Sequence, residues 1–184
     1  MPRAACGAEL EPIEAFVTKV LDAVSFDHGA THIELMLTTE GPRLIEVNPR
    51  LVGARIARLA SLTLGRSLHA DLIAAHLGEL PAAPASPRHA VGVIRWVVAS
   101  QRGVLEEVQL PAWQDERVRS VEILRRPGNE VAPPFENADR IGYVMVCGND
   151  RLAAEELADR FVEECRVVMR ANSMQPAEPE MQPC

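Results

Sequence analysis

The residues best suited to chemistry are Glu34 and Glu46, two glutamates with eleven residues between them in the stretch HIELMLTTEGPRLIEVNPR. Asn48 and Arg50 follow the second glutamate at intervals of two. Carboxylate and amide oxygens are hard ligands that suit Mg²⁺ or Mn²⁺ and are poor ligands for zinc. An arginine beside them would help to hold the oxygens of a transferring phosphoryl group. The spacing therefore indicates a divalent-metal site that handles phosphate.

A β-hairpin is predicted to position these residues. Residues 31–37 and 42–47 are both strand-like, and residues 39–41 form a predicted three-residue loop between them. The loop ends in Gly41, and glycine is the residue that the left-handed position of such a loop favours. The loop length sets the strand register, which decides the pairs of residues that face each other.

In the predicted register Glu34 faces Glu46, and His32 faces Asn48. Alternation along the strands gives the hairpin two faces. One face holds His32, Glu34, Met36, Leu44, Glu46 and Asn48, and the opposite, core-facing one holds Ile33, Leu35, Leu37, Ile45 and Val47. Like charges that oppose each other on a sheet cost up to about 1 kcal/mol. If the site is partly enclosed, either the proton affinity of one carboxylate rises or a cation binds between the two.

Two plainer interpretations stay open from the residues alone. Acids on an exposed strand are usually only solvated, and under that hypothesis Glu34→Gln leaves metal affinity unchanged. His32 is interpreted as a structural or substrate-shaping residue rather than a metal ligand, because no second histidine lies at ligand spacing.

The elements around the hairpin are predicted from hydrophobic periodicity and helix caps. Helices are expected at 11–24, within 54–64, at 67–77 with Ser67 as the N-cap, and at 151–169. Between the last two helices lie four β-rich runs: AVGVIRWVVAS, GVLEEVQL, RVRSVEILRR and RIGYVMVCG. The order of helix, hairpin, two helices, small mixed sheet and helix predicts an α+β fold rather than an alternating α/β fold.

The chain is expected to form two subdomains. Residues 1–80 would carry the hairpin, and residues 89–170 would form a small mixed β/α subdomain. The Pro/Ala-rich segment at 81–88, PAAPASPR, is predicted to be the linker between them. Residues 171–184 are predicted to be a disordered tail.

The composition excludes several classes of protein. A net charge of −7 argues against nucleic acid or an anionic membrane as the partner. The four cysteines form no C-x-x-C pair, which argues against a disulfide framework or zinc site and favours a reducing cytoplasm. The most apolar run, VGVIRWVVA, is too short to cross a bilayer. A cytoplasmic globular protein is therefore expected.

The stretch THIELMLTTEGPRLIEVNPRLVGARI, residues 31–56, resembles the metal and phosphate end of the ATP-grasp superfamily, in which a strand acid is followed by an acid-x-Asn element that continues to arginine. It looks most like the carboxylate–amine ligase branch, which includes amino-acid ligases, and more distantly like biotin carboxylase. The resemblance extends over roughly residues 10–169. It implies the C-terminal part of an ATP-grasp fold, an antiparallel sheet with flanking helices, followed by a small β-rich subdomain.

The resemblance also implies roles for individual residues. Glu34, Glu46 and Asn48 would bind one or two Mg²⁺ (or Mn²⁺) ions together with ATP. Arg50 would be the catalytic residue that stabilises the acyl-phosphate transition state, and His32 and Gly53 would bind substrate. Val52 stands where the family often has a second glycine, so the sequence departs from the pattern there.

The reaction implied by the resemblance is the ATP-dependent formation of an acyl phosphate from a carboxylate, followed by attack of an amine. The lobe that precedes this region in the family brings lysines and a glycine-rich flap to the nucleotide, and the one lysine here, Lys19, lies on the first predicted helix. The chain is therefore expected to be the C-terminal portion of a ligase, incomplete and inactive alone. The alternative is a non-catalytic binding or assembly module with the same ancestry. Surface that the missing lobe would cover predicts self-association, as a homodimer.

Overall fold

The computed structural model describes residues 10–79 and 86–170. The predicted tail and most of the predicted linker lie outside the described residues. The chain divides into two compact units: Met1–Ser61 with Arg66–Ala85, called the hairpin unit below, and Leu62–Gly65 with Ser86–Cys184, called the sheet unit. The architecture is α+β with antiparallel sheets and four helices in the described residues, as predicted.

The hairpin unit contains the first three helices and the hairpin itself. Its elements are α1 (Leu10–Ala23), β1 (His32–Thr38), β2 (Gly41–Asn48), α2 (Ile56–Leu64, whose last residues are grouped with the sheet unit) and α3 (Leu68–His76). The predicted N-cap of α3 is confirmed, because the Ser67 hydroxyl oxygen accepts the Ala70 N–H at 3.2 Å. All three helices lie within about two residues of their predicted positions, the usual uncertainty of a helix end.

The loop of the hairpin is shorter than predicted. Thr38 pairs with Gly41, so the loop consists of Thr39 and Glu40 rather than three residues. The Thr38 hydroxyl donates to the Gly41 carbonyl at 2.8 Å and accepts the Glu40 N–H at 3.2 Å, which stabilises the tight turn. The expectation for glycine is correct, since Gly41 has a φ of 108°.

A β-bulge in β2 restores the predicted register at the site. The register shifts between Glu34 and Leu35, where Ile45 has no opposing residue. The extra residue compensates for the shorter loop, so Glu34 faces Glu46 as predicted. Between the bulge and the loop the prediction is wrong: Leu44 opposes Leu35 and shares its face rather than the face of Glu34.

The predicted core-facing side of the hairpin is only partly covered by the described residues: Ile33, Leu35 and Val47 are half-buried, and the other two are exposed. Leu37 is 51% exposed and Ile45 is 58% exposed. Among the described residues of the hairpin unit, only Ala57 and Leu59 of α2 are buried hydrophobic residues. The hairpin unit therefore has little core of its own within the described part of the chain.

In its described residues, the sheet unit consists of two three-stranded antiparallel sheets, one α-helix of its own and a short 3₁₀ helix. The strand orders are β3-β7-β5 and β6-β4-β8. The elements are β3 (Val91–Val97), β4 (Gly103–Gln109), β5 (Val118–Ile123), β6 (Glu130–Val131), a short 3₁₀ helix (Asn137–Asp139), β7 (Gly142–Gly148), α4 (Arg151–Glu164) and β8 (Arg166–Arg170). The four predicted β-rich runs correspond to β3, β4, β5 and β7. None of the helices in the described part of the chain has the length and apolarity needed to span a bilayer.

The helix predicted at 151–169 is too long at its C-terminal end. It stops at Glu164, and Cys165 is already extended with a ψ of 126°. The residues after it form β8, which pairs with β4. Val167 and Val168 explain the change, since β-branched side chains fit a strand better than a helix.

The core of the sheet unit lies between α4 and the sheet of β3, β7 and β5. Val93, Val144 and Val146 pack with Ala154, Leu157, Ala158 and Phe161. A second buried cluster holds Val97, Ala99, Leu105, Val131 and Ile141. Fully burying one large apolar side chain stabilises a fold by about 1.5–3 kcal/mol. The sheet unit thus has a substantial hydrophobic core.

Candidate metal and phosphate site

The candidate ligands belong to two residue pairs of the hairpin, which are separated by the Ile33–Val47 pair. Glu34 lies directly opposite Glu46, and His32 lies directly opposite Asn48. Opposed residues on antiparallel strands have Cβ atoms about 4.5–5.5 Å apart. Both glutamates are exposed, with half of the Glu34 side chain accessible. This backbone register therefore suits a cation shared by the two carboxylates.

Two nitrogens next to the glutamates are buried and have no hydrogen-bond partner. They are His32 Nδ1 and Asn48 Nδ2. The other ring nitrogen, His32 Nε2, lies 3.9 Å from Glu34 Oε1. An unpaired buried polar atom costs about 1–3 kcal/mol, so we expect water or a bound group to partner these two atoms.

The end of β2 is fixed by two hydrogen bonds to one carbonyl. The Asn48 carbonyl accepts the Thr31 hydroxyl at 3.1 Å and the Arg50 N–H at 2.8 Å. These bonds hold the backbone on both sides of the Asn48 side chain. They also fix the point at which the backbone leaves β2, and therefore the backbone position of Arg50.

The Arg50 side chain is exposed and is not paired with an acid in the described residues. Its Nη1 donates to the Leu51 carbonyl at 3.1 Å. A Cβ atom added to Gly53 would lie 3.9 Å from the same Nη1. The guanidinium therefore lies beside Gly53, and its charge is available to an anion.

The loop after Arg50 forms one wall of a cavity of about 400 Å³. Val52–Arg55, three residues of α2, Ser67 and His69 line it. Ala54 and Arg55 have φ angles of 50° and 66°, a left-handed conformation that costs a non-glycine residue about 1–2 kcal/mol. Sequence reasoning missed this part of the site, because neither residue type signals a left-handed backbone. Val52, at which the sequence departs from the family pattern, also lines the cavity.

The protein ligands do not form a complete metal cage. In residues 10–79 and 86–170, no group of three or more His, Cys, Asp or Glu side chains is arranged to hold a metal ion. The predicted set of two carboxylates and one amide falls below that number. Mg²⁺ held by one or two carboxylates normally takes its other ligands from water and substrate phosphates. The donor set is therefore compatible with Mg²⁺ or Mn²⁺ bound together with a nucleotide.

The sheet unit matches a known protein family. Residues 95–170 match the family model of the L-amino acid ligase C-terminal domain 2. A protein of Sinorhizobium fredii, the uncharacterized protein y4rH, is 30% identical over 155 residues, which cover 80% of this chain and 31% of that protein. The chain thus spans less than a third of this curated relative.

Solved structures share the fold over nearly the whole chain. Phosphoribosylglycinamide synthetase from Anaerococcus prevotii superposes with a TM-score of 0.82 at 15% identity, covering 92% of this chain and 44% of the enzyme. L-amino acid ligase from Bacillus licheniformis gives a TM-score of 0.76 at 17% identity, with 92% and 45% coverage. At such identities the likeness concerns the fold alone, and the chain spans less than half of either enzyme.

Proposed function

We propose, from the premise that this chain has the fold of the C-terminal part of an ATP-grasp ligase, that it carries the metal-binding half of a carboxylate–amine ligase site. The proposed reaction uses ATP to form an acyl phosphate from a carboxylate and then joins it to an amine. The observation that carries the proposal is the opposition of Glu34 and Glu46, with His32 and Asn48 opposed two residues away on the same face of the hairpin. The family match at 95–170 favours amino-acid substrates.

The three metal ligands in this proposal are Glu34, Glu46 and Asn48. Glu34 and Glu46 each direct a carboxylate to Mg²⁺ or Mn²⁺, and Asn48 adds its amide oxygen. When bound, the metal ions offset the negative charge of the ATP phosphates.

Arg50 and the loop after it are proposed to hold the substrate. The exposed guanidinium of Arg50 stabilises the oxygens of the transferring phosphoryl group by charge-assisted hydrogen bonds. Gly53 leaves room beside that guanidinium for the substrate carboxylate. His32, next to Glu34, is proposed as a second substrate contact. The adjoining cavity of about 400 Å³ has the size of a small-molecule site.

The chain is proposed to work in the cytoplasm as one part of a larger ligase and to be inactive alone. The residues that bind the adenine base and the remaining phosphates of ATP are assigned to the rest of that enzyme. The exposed apolar side of the hairpin, which includes Leu37 and Ile45, then has a covering partner in the working protein. For the isolated chain, we propose that a second copy covers it.

The test of the metal site is a titration with Mn²⁺, followed by the paramagnetic broadening of backbone amide NMR signals. We expect the signals of the His32–Glu34 and Glu46–Asn48 pairs to broaden first. Glu46→Gln removes one of two carboxylate ligands and should weaken Mn²⁺ binding at least about tenfold, as even outer-shell changes commonly do. Glu40→Gln is the matched control, because Glu40 lies in the hairpin loop and pairs with Arg43 at 2.5 Å.

The same variants separate the competing functions. Equal broadening in wild type and Glu46→Gln would reject the metal site, and unchanged affinity in Glu34→Gln would favour acids that serve only solubility. Phosphate release from ATP with an amino-acid mixture tests the isolated chain. We expect none, and turnover that Glu46→Gln abolishes would show that the chain is a complete enzyme.

A further inference from the structure

A second polar cavity lies in the sheet unit, at one edge of the β3-β7-β5 sheet. Its volume is about 360 Å³. Because both outer strands run antiparallel to β7, the beginnings of β3 and β5 meet the end of β7: Val91 pairs with Gly148, and Val118 pairs with Val146. Residues from these three strand ends line the cavity, including His89, Arg117, Arg119, Cys147 and Asn149. None of them belongs to the site described above.

His89 contributes a buried nitrogen that has no partner. Its Nε2 is the one unpartnered buried side-chain atom in the described part of the sheet unit. The backbone of His89 is held in place, since its N–H donates to the Thr63 carbonyl at 3.0 Å. A buried polar atom without a hydrogen-bond partner costs about 1–3 kcal/mol, so we expect a ligand or a water molecule to supply that partner.

The two arginines of the cavity differ in their partners. Arg117 is neutralised by Asp115, with Nη2–Oδ2 at 2.7 Å and Nε–Oδ1 at 2.9 Å. Arg119 has no carboxylate partner in the described residues and makes only a 3.4 Å contact from Nη1 to the Glu116 carbonyl. The exposed Glu116 also lines the cavity. Arg119 is therefore the cation of this cavity that is left for a ligand.

Cys147 forms a buried wall of the same cavity. The residue is 1% exposed, and burial raises the pKa of its thiol. A contact of 3.9 Å with the Thr63 hydroxyl and the positive charge of Arg119 act in the opposite direction. The thiol thus remains neutral, while the field of Arg119 reaches the cavity wall. Because the Cys147 thiol is neutral and Arg119 is positively charged, the cavity favours an anionic ligand.

We propose that this cavity binds the oxyanion group, a carboxylate or a phosphate, of a small molecule. Arg119 supplies charge-assisted hydrogen bonds, and His89 donates from Nε2. Asn149 accepts the Ala90 N–H at 3.2 Å through Oδ1, which leaves its amide N–H groups as further donors. A cation is disfavoured, because no metal-holding cluster of His, Cys, Asp or Glu occurs in the described residues. The site is independent of the proposed ligase function.

The experiment follows the His89 ring signals by NMR during titration with inorganic phosphate and, separately, with acetate. We expect saturable shifts, and the tighter of the two probes identifies the class of oxyanion. Arg119→Gln should weaken binding about tenfold or more, because hydrogen bonds to charged groups contribute about 1.5–3 kcal/mol. His89→Phe removes the other donor and should also weaken binding, read from the amide signals of Gly148 and Asn149.

The matched control is Arg126→Gln, which removes the same charge beyond the other end of β5. It should leave both titrations unchanged. Absence of saturation with either probe would overturn the proposal. So would equal weakening by Arg119→Gln and Arg126→Gln, because that result would indicate general attraction to a positive surface. Amide spectra of each variant verify its fold, and neither probe requires the metal site to exist.

Discussion

The two units of the chain differ in how they bury apolar side chains. Every buried hydrophobic residue in the described part of the chain lies in the sheet unit, except Ala57 and Leu59. The hairpin unit instead exposes large side chains, with Ile45 at 58% and Ile73 at 63%. The candidate metal site lies in the unit with the smaller core. Stability and the proposed chemistry are therefore carried by different parts of the molecule.

This difference agrees with the coverage of the relatives. The family match falls within the sheet unit, and the chain spans under half of the two enzymes compared above. A hairpin of two strands is at best marginally stable unless a further layer packs on it. The hairpin unit therefore gains most from a partner, whereas the sheet unit is expected to fold by itself.

The largest expected effect is the loss of a core side chain in the sheet unit. Phe161 is 5% exposed and packs in the cluster between α4 and the sheet. Phe161→Ala should lower the free energy of unfolding by about 3–5 kcal/mol, measured by urea denaturation. Leu152→Ala on the same helix is the control, because Leu152 is 69% exposed and should change stability by less than about 0.5 kcal/mol. Equal losses in both variants would contradict the assigned core.

A second prediction concerns the uncovered side of the hairpin. The isolated chain should form a dimer at high concentration, and Ile45→Lys should shift it to monomer, measured by sedimentation equilibrium. A lysine is tolerated at a position that is 58% exposed, so the fold should persist. Leu152→Lys introduces the same charge on the sheet unit and should leave association unchanged. A monomer at every concentration would refute self-association.

Local signals in the sequence predicted much of the fold. The Ser67 cap of α3 and the periodicity of α1 depend on neighbours a few residues away. The opposition of Glu34 and Glu46 was also predictable, although for a partly wrong reason: the short loop and the bulge at Ile45 shift the register in opposite senses and cancel. The sequence contains no evident signal for that cancellation.

Features that depend on distant parts of the chain were not predictable. Residues 166–170 form a strand only because β4 is there to pair with them, and hydrophobic periodicity alone did not separate them from α4. The cavity that we propose to bind an oxyanion joins His89, Arg119 and Cys147 from three strand ends. Their spacing in the sequence has no period, and only the sheet topology brings them together.

The smallest expected effect concerns the loss of stability of the sheet unit at acidic pH. Hydrogen bonds from Arg117 lower the pKa of Asp115 from 3.8 to about 2. Because the folded-state pKa is depressed, the pair contributes stability above pH 3.8, and this contribution is lost as the pH falls through about 2. Asp115→Asn should therefore reduce stability at neutral pH by up to about 1 kcal/mol, the usual limit for an ion pair at the protein surface. The difference from wild type, measured by urea denaturation, should shrink toward zero near pH 2. A difference that stays constant with pH would mean that Asp115 acts by packing rather than by charge.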